Sequence, residues 1–482
     1  MPSILIGGSD HPVELLGQFA NRHGLIAGAT GTGKTVTLQV LAESFSRMGV
    51  PVFMADVKGD LSGISQPGKP HPKVQERIDK IGITDFNFEG APCIFWDLFG
   101  QSGHPVRTTI SEMGPTLLAR LLDLNDTQEG LLAIAFRFAD DQKLLMIDLH
   151  DLQTTLQYMA DNANEFKRQY GNVSAASVGT IQRKLLELEN AGADLFFGEP
   201  AIDFWDFFET DANGRGLVNI LCADKLINSP KTYSTFLLWL MSELFENLPE
   251  VGDQEKPRFV LFFDEAHLLF NDAPNSLVEK IEQVVRLIRS KGVGIYFITQ
   301  SPSDVPERVL GQLGNRVQHA LRAFTPNDQK TVKVSAQTFR PNPKLDTDAE
   351  ITRLGVGEAL VSVLQADGTP SMVEKVLISP PHSQIGPIDT AQRQAVMSKS
   401  PFAGKYDQAV DPESAHEVLQ ARMNAQQQQA QAAQAEKLAQ KQQGSTRQTQ
   451  SVGEAFLKSM TRAMASKVGR ELARGLLGSL LK

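Results

Sequence analysis

The amino-acid sequence predicts an α/β fold with a mainly parallel sheet, a helical insertion and a helical C-terminal tail. Short apolar runs of strand length recur along the chain, for example at 259–263 and 294–298. Such runs are typical of parallel strands that are buried on both faces. Segments with helical spacing alternate with them, as in other α/β folds. Residues 106–212 are instead dominated by leucine-rich helical spacing, which indicates an insertion in the core.

Composition and charge exclude several classes of protein. The chain has 482 residues, of which 41% are hydrophobic and 21% charged, as in ordinary globular proteins. Cys93 and Cys222 are the only cysteines, so the sequence offers neither a disulfide framework nor zinc-ligand spacing. We expect a cytoplasmic protein, because the N-terminus has no signal-peptide pattern and no apolar run approaches the ~20 residues that span a bilayer. The net charge of −9 argues against a constitutively basic nucleic-acid surface, although a ring-shaped oligomer can concentrate a few cations in its channel.

The first strand of the predicted core leads into a phosphate-binding loop. Residues 23–27 are a short, mostly apolar run, and residues 36–45 have helical spacing. The pattern G-x-x-x-x-G-K-[ST] lies between them and comprises Gly28, Ala29, Thr30, Gly31, Thr32, Gly33, Lys34 and Thr35. In this motif the glycines let backbone N–H groups face phosphate oxygens, the lysine reaches the β- and γ-phosphates, and the threonine hydroxyl ligates Mg²⁺. The sequence therefore predicts a nucleoside triphosphate site at a helix N-terminus.

Two adjacent carboxylates follow a second apolar run. Residues 259–263 predict a buried strand, and Asp264 and Glu265 come directly after it. Ligands bind at the carboxyl ends of strands in open α/β sheets. We therefore expect Asp264 to hold Mg²⁺ and Glu265 to act as the general base that activates a water molecule. The alternative is that the two acids cap the helix that follows, since carboxylates stabilise helix N-termini.

A third strand of this kind ends in Gln300. Residues 294–299 are mostly apolar, and the glutamine side chain follows at the carboxyl end of the predicted strand. In this position Gln300 can sense the γ-phosphate or orient the attacking water. The alternative is that the side chain only hydrogen-bonds to the backbone of its own loop.

The chain is divided by composition into six segments. The predicted α/β core has its first half in 1–105 and its second half in 213–385, on either side of the mostly helical insertion at 106–212. The second half ends in a hairpin at 358–379, whose turn contains Asp367 and Gly368. Three further segments follow: a mobile linker or strap at 386–423, a Gln/Ala-rich low-complexity segment at 424–450 and a basic amphipathic helix at 451–482.

The final segment, 451–482, has apolar residues at a stride of four and more cations than acids. A basic amphipathic helix of this kind can lie on an anionic membrane surface or on a protein partner. It would place the protein peripherally at the inner face of the membrane. The alternative is that the helix docks on its own chain or oligomer.

Several ordered motifs resemble the HerA/FtsK-like branch of P-loop ATPases, and more narrowly bacterial members with a HerA-like ATPase domain. The resemblance covers roughly residues 1–385. The matching segments are the phosphate-binding loop 28–35, Asp-Val-Lys-Gly-Asp at 56–60, Phe-Phe-Asp-Glu-Ala-His at 262–267, the segment 288–294, Phe-Ile-Thr-Gln-Ser-Pro at 297–302 and the segment 312–322.

The resemblance implies a RecA-like sheet with strand order 5-1-4-3-2, ATP as the substrate, Mg²⁺ as the cofactor and hexameric rings. It also implies that a basic residue before the sensor strand acts on the γ-phosphate of the neighbouring subunit. Arg289 is the best positional match, followed by Arg286 and Arg316; the alternative for Arg289 is a solvated helix face. One departure concerns DNA handling, because DNA-translocating members have a β-barrel before the phosphate-binding loop and only 27 residues precede Gly28 here.

Two functions of different classes fit these observations. The first is a Mg²⁺-dependent ATP hydrolase that works as an oligomeric motor on DNA. The second is an ATP-gated scaffold, or a membrane- or partner-associated ATPase, that does not translocate DNA. A small-molecule kinase is disfavoured, because a glutamine after an Asp-Glu strand suits water activation and no acceptor-site signature is present. The preference for ATP over GTP rests on the resemblance alone.

Overall fold

The structure is a computed structural model that describes residues 2–226, 229–270 and 275–443. The chain divides into two compact units, Met1–Val418 and Leu419–Lys482. The first contains the sheet and nearly all the helices. The described part of the second is the Gln/Ala-rich end of one long helix. The predicted basic helix at 451–482 lies outside the described residues. Within the described part of the chain, no helix is both long enough and apolar enough to cross a bilayer.

One twelve-stranded sheet organises the first unit. Its strands, numbered in chain order, are β1 (Ser3–Gly8), β2 (Pro12–Leu16), β3 (Gly24–Ala27), β4 (Val52–Asp56), β5 (Cys93–Asp97), β6 (His104–Pro105), β7 (Val218–Cys222), β8 (Phe259–Phe263), β9 (Val293–Thr299), β10 (Asn315–His319), β11 (Glu358–Ser362) and β12 (Glu374–Ile378). The central strands are buried along their whole length, which explains their continuous apolar runs.

The parallel part of the sheet has the predicted strand order. The strands run β10-β3-β9-β8-β4, with β7, β5 and β6 continuing the parallel sheet beyond β4. We count β3 as the first core strand and β4, β8, β9 and β10 as the second to fifth, leaving out β5, β6 and β7, which continue the sheet beyond β4. The order is then 5-1-4-3-2. The RecA-like arrangement that the sequence predicted is therefore confirmed. All the carboxyl ends of these strands lie along one edge of the sheet.

The other side of the sheet is antiparallel. The predicted hairpin is confirmed, since β11 pairs with β12 and also joins the core through β10. The residues that precede the phosphate-binding loop form a second hairpin of β1 and β2, which is attached to β12. These early residues therefore extend the sheet instead of forming a separate layer.

The helices fall mainly between the strands and in the insertion. The described α-helices are α1 (Lys34–Arg47), α2 (Pro72–Ile81), α3 (Ile110–Leu121), α4 (Asp126–Gln142), α5 (Leu149–Asp161), α6 (Ala163–Gln169), α7 (Ala175–Asn190), α8 (Pro230–Asn247), α9 (Asn275–Leu287), α10 (Glu307–Leu310), α11 (Pro326–Gln337), α12 (Thr347–Arg353), α13 (Thr390–Ser398) and α14 (Ala415–Gln443). Helices α3 to α7 lie within 106–212, as the leucine spacing indicated. Helix α3 is interrupted at Gly114, which has a φ of 71°, and Pro115 follows this residue.

The main core lies between the sheet and the helix that follows the phosphate-binding loop. Phe45 on α1 is fully buried and packs with Phe262 on β8 and Tyr296 on β9, at ring-centroid distances of 6.2 and 6.1 Å. A buried polar contact joins β5 to β7, since the Trp96 indole donates a hydrogen bond to Asn219 Oδ1 at 2.9 Å. Helix α1 is thus held against the strands that end at the predicted site.

Residues 380–418, which follow the hairpin and are called the strap below, pack against the rest of the first unit. Arg393 on α13 stacks its guanidinium over the Phe95 ring, 4.4 Å from the centroid. The Tyr406 hydroxyl donates a hydrogen bond to Asp206 at 2.5 Å, and Ser414 Oγ does the same to Asp151. Of the two alternatives for this segment, a mobile linker or a strap, these contacts favour the strap up to residue 418.

The strap begins at a buried clasp on α1. The Glu43 carboxylate, 4% exposed, accepts hydrogen bonds from His382 N (2.7 Å), Ser383 N (3.2 Å) and Ser383 Oγ (2.7 Å). Gln39 Nε2 donates to Ser383 Oγ (2.6 Å) and to Gln384 O (2.8 Å). Polar residues on the buried face of α1 therefore attach the strap to the helix of the phosphate-binding loop.

We expect Glu43→Ala to lower the free energy of unfolding by about 2–4 kcal/mol, because it leaves three donors of the strap without their acceptor. Glu89→Ala is the matched control. Glu89 lies nearby, and its side chain forms 3.8 Å ion pairs with Arg47 and Arg215 at the surface, so the loss of this side chain should cost less than about 1 kcal/mol. Urea unfolding measures both values. Equal costs for the two variants would contradict the clasp.

Candidate active site

Strand pairing brings the sequence motifs to one place. In the parallel register Ala27 of β3 lies beside Thr299 of β9, and Phe297 of β9 lies beside Phe263 of β8. The phosphate-binding loop, the Asp-Glu pair and Gln300 therefore leave three neighbouring strands at the same edge. The geometry that the sequence required for a single site is present.

The phosphate-binding loop is shaped by close backbone approaches that only glycine allows. Gly28 has a φ of 155°, and a Cβ atom there would lie 2.5 Å from the Cβ of His319. Gly33 has a φ of 117° and faces Gly357. A Cβ atom on Gly33 would lie 3.2 Å from the Gly357 Cα. The backbone of the loop is also tied to both neighbouring strands, with Gly28 N donating to Thr299 O at 3.2 Å. The loop thus has a defined shape before helix α1 begins.

Lys34 is buried and folds back over its own loop. Its ammonium donates hydrogen bonds to Gly28 O at 2.7 Å and Ala29 O at 3.1 Å. Burial lowers the pKa of Lys34 and the charge of Lys58 adds to this effect, while Glu265 and Asp264 oppose it. These electrostatic influences show that both lysines and both carboxylates share one region.

His319 supports the loop from the end of β10, and sequence reasoning missed it. Its imidazole bridges Thr37 Oγ1 on α1 (2.8 Å) and Glu358 O on β11 (3.0 Å). Burial lowers the pKa of His319 to about 4, so the ring is neutral near pH 7. His319 is the last residue of β10, at the carboxyl edge, and a polar residue at the end of a strand is the signal in the sequence that could have identified it.

Asp264 lies at the carboxyl end of β8 in a buried, acidic environment. Burial raises its pKa to about 6; the positive charge of Lys58 opposes this effect, and the charges of Glu265 and Asp60 add to it. The region thus contains buried carboxylate oxygens that repel one another, and one of them, Asp60 Oδ1, has no hydrogen-bond partner among the described residues.

This donor set fits Mg²⁺. Asp264 and the half-buried Thr35 hydroxyl supply the oxygen ligands that Mg²⁺ prefers. Within 2–226, 229–270 and 275–443, no group of three or more His, Cys, Asp or Glu residues could hold a metal ion without other ligands.

Glu265 adopts a conformation that few non-glycine residues take. Its φ of 48° and ψ of 51° are left-handed, and its side chain does not cap the short 3-10 helix at Ala266–Leu269. Glu265 occupies the N-cap position, but its side chain makes no capping hydrogen bond, which disfavours the capping alternative for this residue. The carboxylate forms an ion pair with Lys58 and lies 3.1 Å from His267 Nδ1, and Gln300 Nε2 donates a hydrogen bond to it at 3.3 Å.

These partners keep Glu265 ionised. Burial acts to raise the pKa of Glu265, but the hydrogen bond and charge of Lys58, the hydrogen bond from Gln300 and the nearby His267 outweigh it, and the pKa is lowered. The pKa values of the adjacent residues Asp264 and Glu265 are therefore shifted in opposite directions. Gln300 does not only bond to its own loop, since its amide contacts the predicted general base.

Lys58 is the second residue that sequence reasoning missed. The Asp-Val-Lys-Gly-Asp motif was used only to mark the family resemblance. Like the other site motifs it follows a strand, β4, at the carboxyl edge. A lysine after a strand-terminal aspartate was the available signal. The partner of Lys58 could not be inferred, because its ion pair joins two loops far apart in the sequence.

Arg289 lies near the amino end of β9, at the opposite end of the parallel strands from the site. It is exposed in a 3-10 helix, Ile288–Lys291, that precedes β9, and the length of β9 separates it from Gln300 by roughly 20 Å. It is therefore not part of the site in its own chain. Arg286 is also exposed, whereas Arg316 donates hydrogen bonds to three carbonyls of its own chain, Leu313 O, Thr338 O and Leu310 O.

Comparisons with solved structures support the fold. The bacterial conjugative coupling protein TrwBdeltaN70 in its unbound monoclinic form has a TM-score of 0.52 and 16% identity, covering 81% of this chain and 91% of that chain. The plasmid coupling protein TrwB in complex with the non-hydrolysable GTP analogue GDPNP has a TM-score of 0.51 and 16% identity, covering 81% and 92%. The chain thus has the RecA-like P-loop fold of these proteins.

Comparisons of sequence identify the family. The DNA double-strand break repair helicase HerA of Sulfurisphaera tokodaii is 22% identical over 367 residues, which are 73% of this chain. Its counterpart in Pyrococcus furiosus is 24% identical over 378 residues, which are 74% of this chain. The matches span 65% of the length of each relative. The model of the helicase HerA-like C-terminal family matches residues 3–482, and the chain therefore belongs to this family.

Proposed function

We propose that this protein is a Mg²⁺-dependent ATP hydrolase that works as an oligomeric motor on DNA. The main support is the meeting of Lys34, Glu265 and Gln300 at one edge of the sheet. A phosphate-binding loop alone explains nucleotide binding. A buried, ionised carboxylate with a glutamine on it, beside that loop, provides the groups needed to activate water.

The residues divide the chemistry among them. Lys34 leaves the carbonyls of Gly28 and Ala29 and pairs with the β- and γ-phosphates. Thr35 and Asp264 would hold Mg²⁺, which would neutralise charge on the phosphates. Glu265 accepts the proton of the attacking water, and Gln300 orients that water or senses the γ-phosphate.

Arg289 completes the site of a neighbouring subunit in this proposal. Charge develops on the γ-phosphoryl oxygens during transfer, and an arginine supplied in trans stabilises it. Two observations support a role in trans: Arg289 is exposed, and it lies at the edge opposite its own phosphate-binding loop. Arg316 is less suited, because its guanidinium is used within its own chain. The hexameric ring remains the arrangement implied by the family.

DNA as the polymer rests on the relatives named as DNA repair helicases. The alternative is an ATP-gated scaffold, or an ATPase that associates with a membrane or partner through 451–482. The net charge of −9 favours this alternative, because it provides little non-specific attraction to DNA.

We expect Glu265→Gln to bind ATP and to hydrolyse it about 10²–10⁴-fold more slowly, since it loses the general base. Lys34→Ala should lose ATP binding, because its ammonium is the main cation of the loop. Glu76→Gln and Lys80→Ala are matched controls that change an exposed ion pair on α2. Isothermal titration and steady-state phosphate release measure the two properties. Wild-type turnover of Glu265→Gln would refute the assignment of the base.

Arg289→Ala should slow hydrolysis by about 10³-fold or more without weakening ATP binding. If Arg289 acts in trans, mixing Arg289→Ala with Glu265→Gln subunits should restore activity above the sum of the separate samples, because some interfaces then combine an intact base with an intact arginine. Arg286→Ala is the control and should retain activity. No gain on mixing, in samples shown by size to contain mixed oligomers, would exclude the role in trans.

The motor proposal predicts that double-stranded DNA raises ATP turnover severalfold at moderate salt and that the effect declines as salt increases. Phosphate release with and without DNA, on a sample of defined size, tests this expectation. Absence of stimulation, together with liposome or partner binding that is lost on deleting residues 452–482, would favour the scaffold instead.

A further inference from the structure

Both oxygens of the Glu265 carboxylate lie against neighbouring side chains, although Oε1 is buried and accepts no hydrogen bond among the described residues. Lys58 pairs with Oε1, while Oε2 receives a hydrogen bond from Gln300 Nε2 at 3.3 Å and lies 3.1 Å from His267 Nδ1. A general base needs an oxygen that can accept a proton from water. Lys58 lies beside Oε1, in the space that a water molecule would need in order to donate a hydrogen bond to this oxygen.

The loop after β4 is built to present Lys58 at this point. Asp56 is 2% exposed and accepts hydrogen bonds from three backbone N–H groups, those of Gly59 (2.8 Å), Asp60 (3.1 Å) and Leu61 (3.1 Å). Gly59 has a φ of 74°, which completes the tight turn. Lys58 projects from this fixed turn and its side chain is 39% exposed. The backbone is thus anchored while the ammonium retains room to move.

The surroundings of Lys58 contain the charges of the phosphate site. Burial acts to lower the pKa of Lys58, but the hydrogen bond to Glu265 and the charges of Asp264, Glu265 and Asp60 outweigh it, and the pKa is raised. Its positive charge also acts on Lys34, the residue that pairs with the β- and γ-phosphates. A terminal phosphate held between Lys34 and the acidic pair would therefore lie within the reach of Lys58 and would compete with Glu265 for it.

We propose that Lys58 is a positioning residue that exchanges between the Glu265 carboxylate and the terminal phosphate of the bound triphosphate. This inference rests on the proposed function and adds a control step to it. The triphosphate draws Lys58 away and frees Glu265 to accept the proton of water. A diphosphate lacks the terminal group, so Lys58 stays on Glu265. The residue thereby distinguishes substrate from product and restricts base activity to the substrate complex.

The test compares the affinities of the full chain for the non-hydrolysable β,γ-imido analogue of ATP and for ADP, each with Mg²⁺. Lys58→Met should weaken analogue binding about tenfold, as expected for one charge-assisted hydrogen bond, and leave ADP binding unchanged. Lys58→Arg, which keeps the charge, should restore the preference for the triphosphate. Lys225→Met is the matched control, because Lys225 lies on the loop after β7 at the same edge and bonds to Gln101.

Unchanged ADP affinity also shows that Lys58→Met is folded. An unchanged ratio of analogue to ADP affinity in Lys58→Met, or failure of Lys58→Arg to restore a lost preference, would overturn the exchange. These outcomes are separate from failure of the proposed function. In that case the wild-type chain would not hydrolyse ATP at all, whereas here the wild type would hydrolyse ATP and only the role of Lys58 would be lost.

Discussion

The parallel pairing of β3, β9 and β8 is the constraint on which the site depends. These strands are buried on both faces, so they contribute apolar side chains along their length and polar groups only where they end. Because they are parallel and in register, their ends coincide, and the loop at Gly28 meets Asp264 and Gln300 without any long connection. A shift of β8 by one residue would move Asp264 along the edge and turn its side chain to the other face. The chemistry of the proposed site is therefore a consequence of sheet register.

Two neighbouring carboxylates on this edge acquire different properties from their surroundings. Asp264 is buried beside other acids, which raises its pKa to about 6, so a divalent cation would relieve an unfavourable concentration of negative charge. Glu265 is one residue further on, but its left-handed backbone turns it toward Lys58, Gln300 and His267, which lower its pKa. The left-handed backbone at Glu265 thus separates the surroundings of the two acids, as their different roles in the proposed mechanism require.

The sequence alone was sufficient for the parts of the site that are local in the chain. The loop 28–35 and the pair Asp264 and Glu265 each follow a strand directly, so their pattern determines their position. The strand order could be stated only through the family resemblance, because apolar runs do not specify which strands are neighbours. Lys58 and His319 were missed for a related reason: each acts through a contact with a residue distant in sequence, and no local pattern encodes such a partner. Arg289 remains a prediction, since its proposed partner belongs to another subunit.

Helix α1 connects the phosphate-binding loop to the rest of the first unit. Its N-terminus contains Lys34, while Glu43 and Gln39 hold His382, Ser383 and Gln384 at the start of the strap. The strap in turn contacts the insertion through Ser414 and Asp151. If α1 moves when a triphosphate binds, it must either break the hydrogen bonds to Glu43 or move the strap with it. Breaking them would leave buried donors without an acceptor, which is costly, so movement of the strap is the favoured response. The strap is thus the element through which a movement of α1 would reach the insertion.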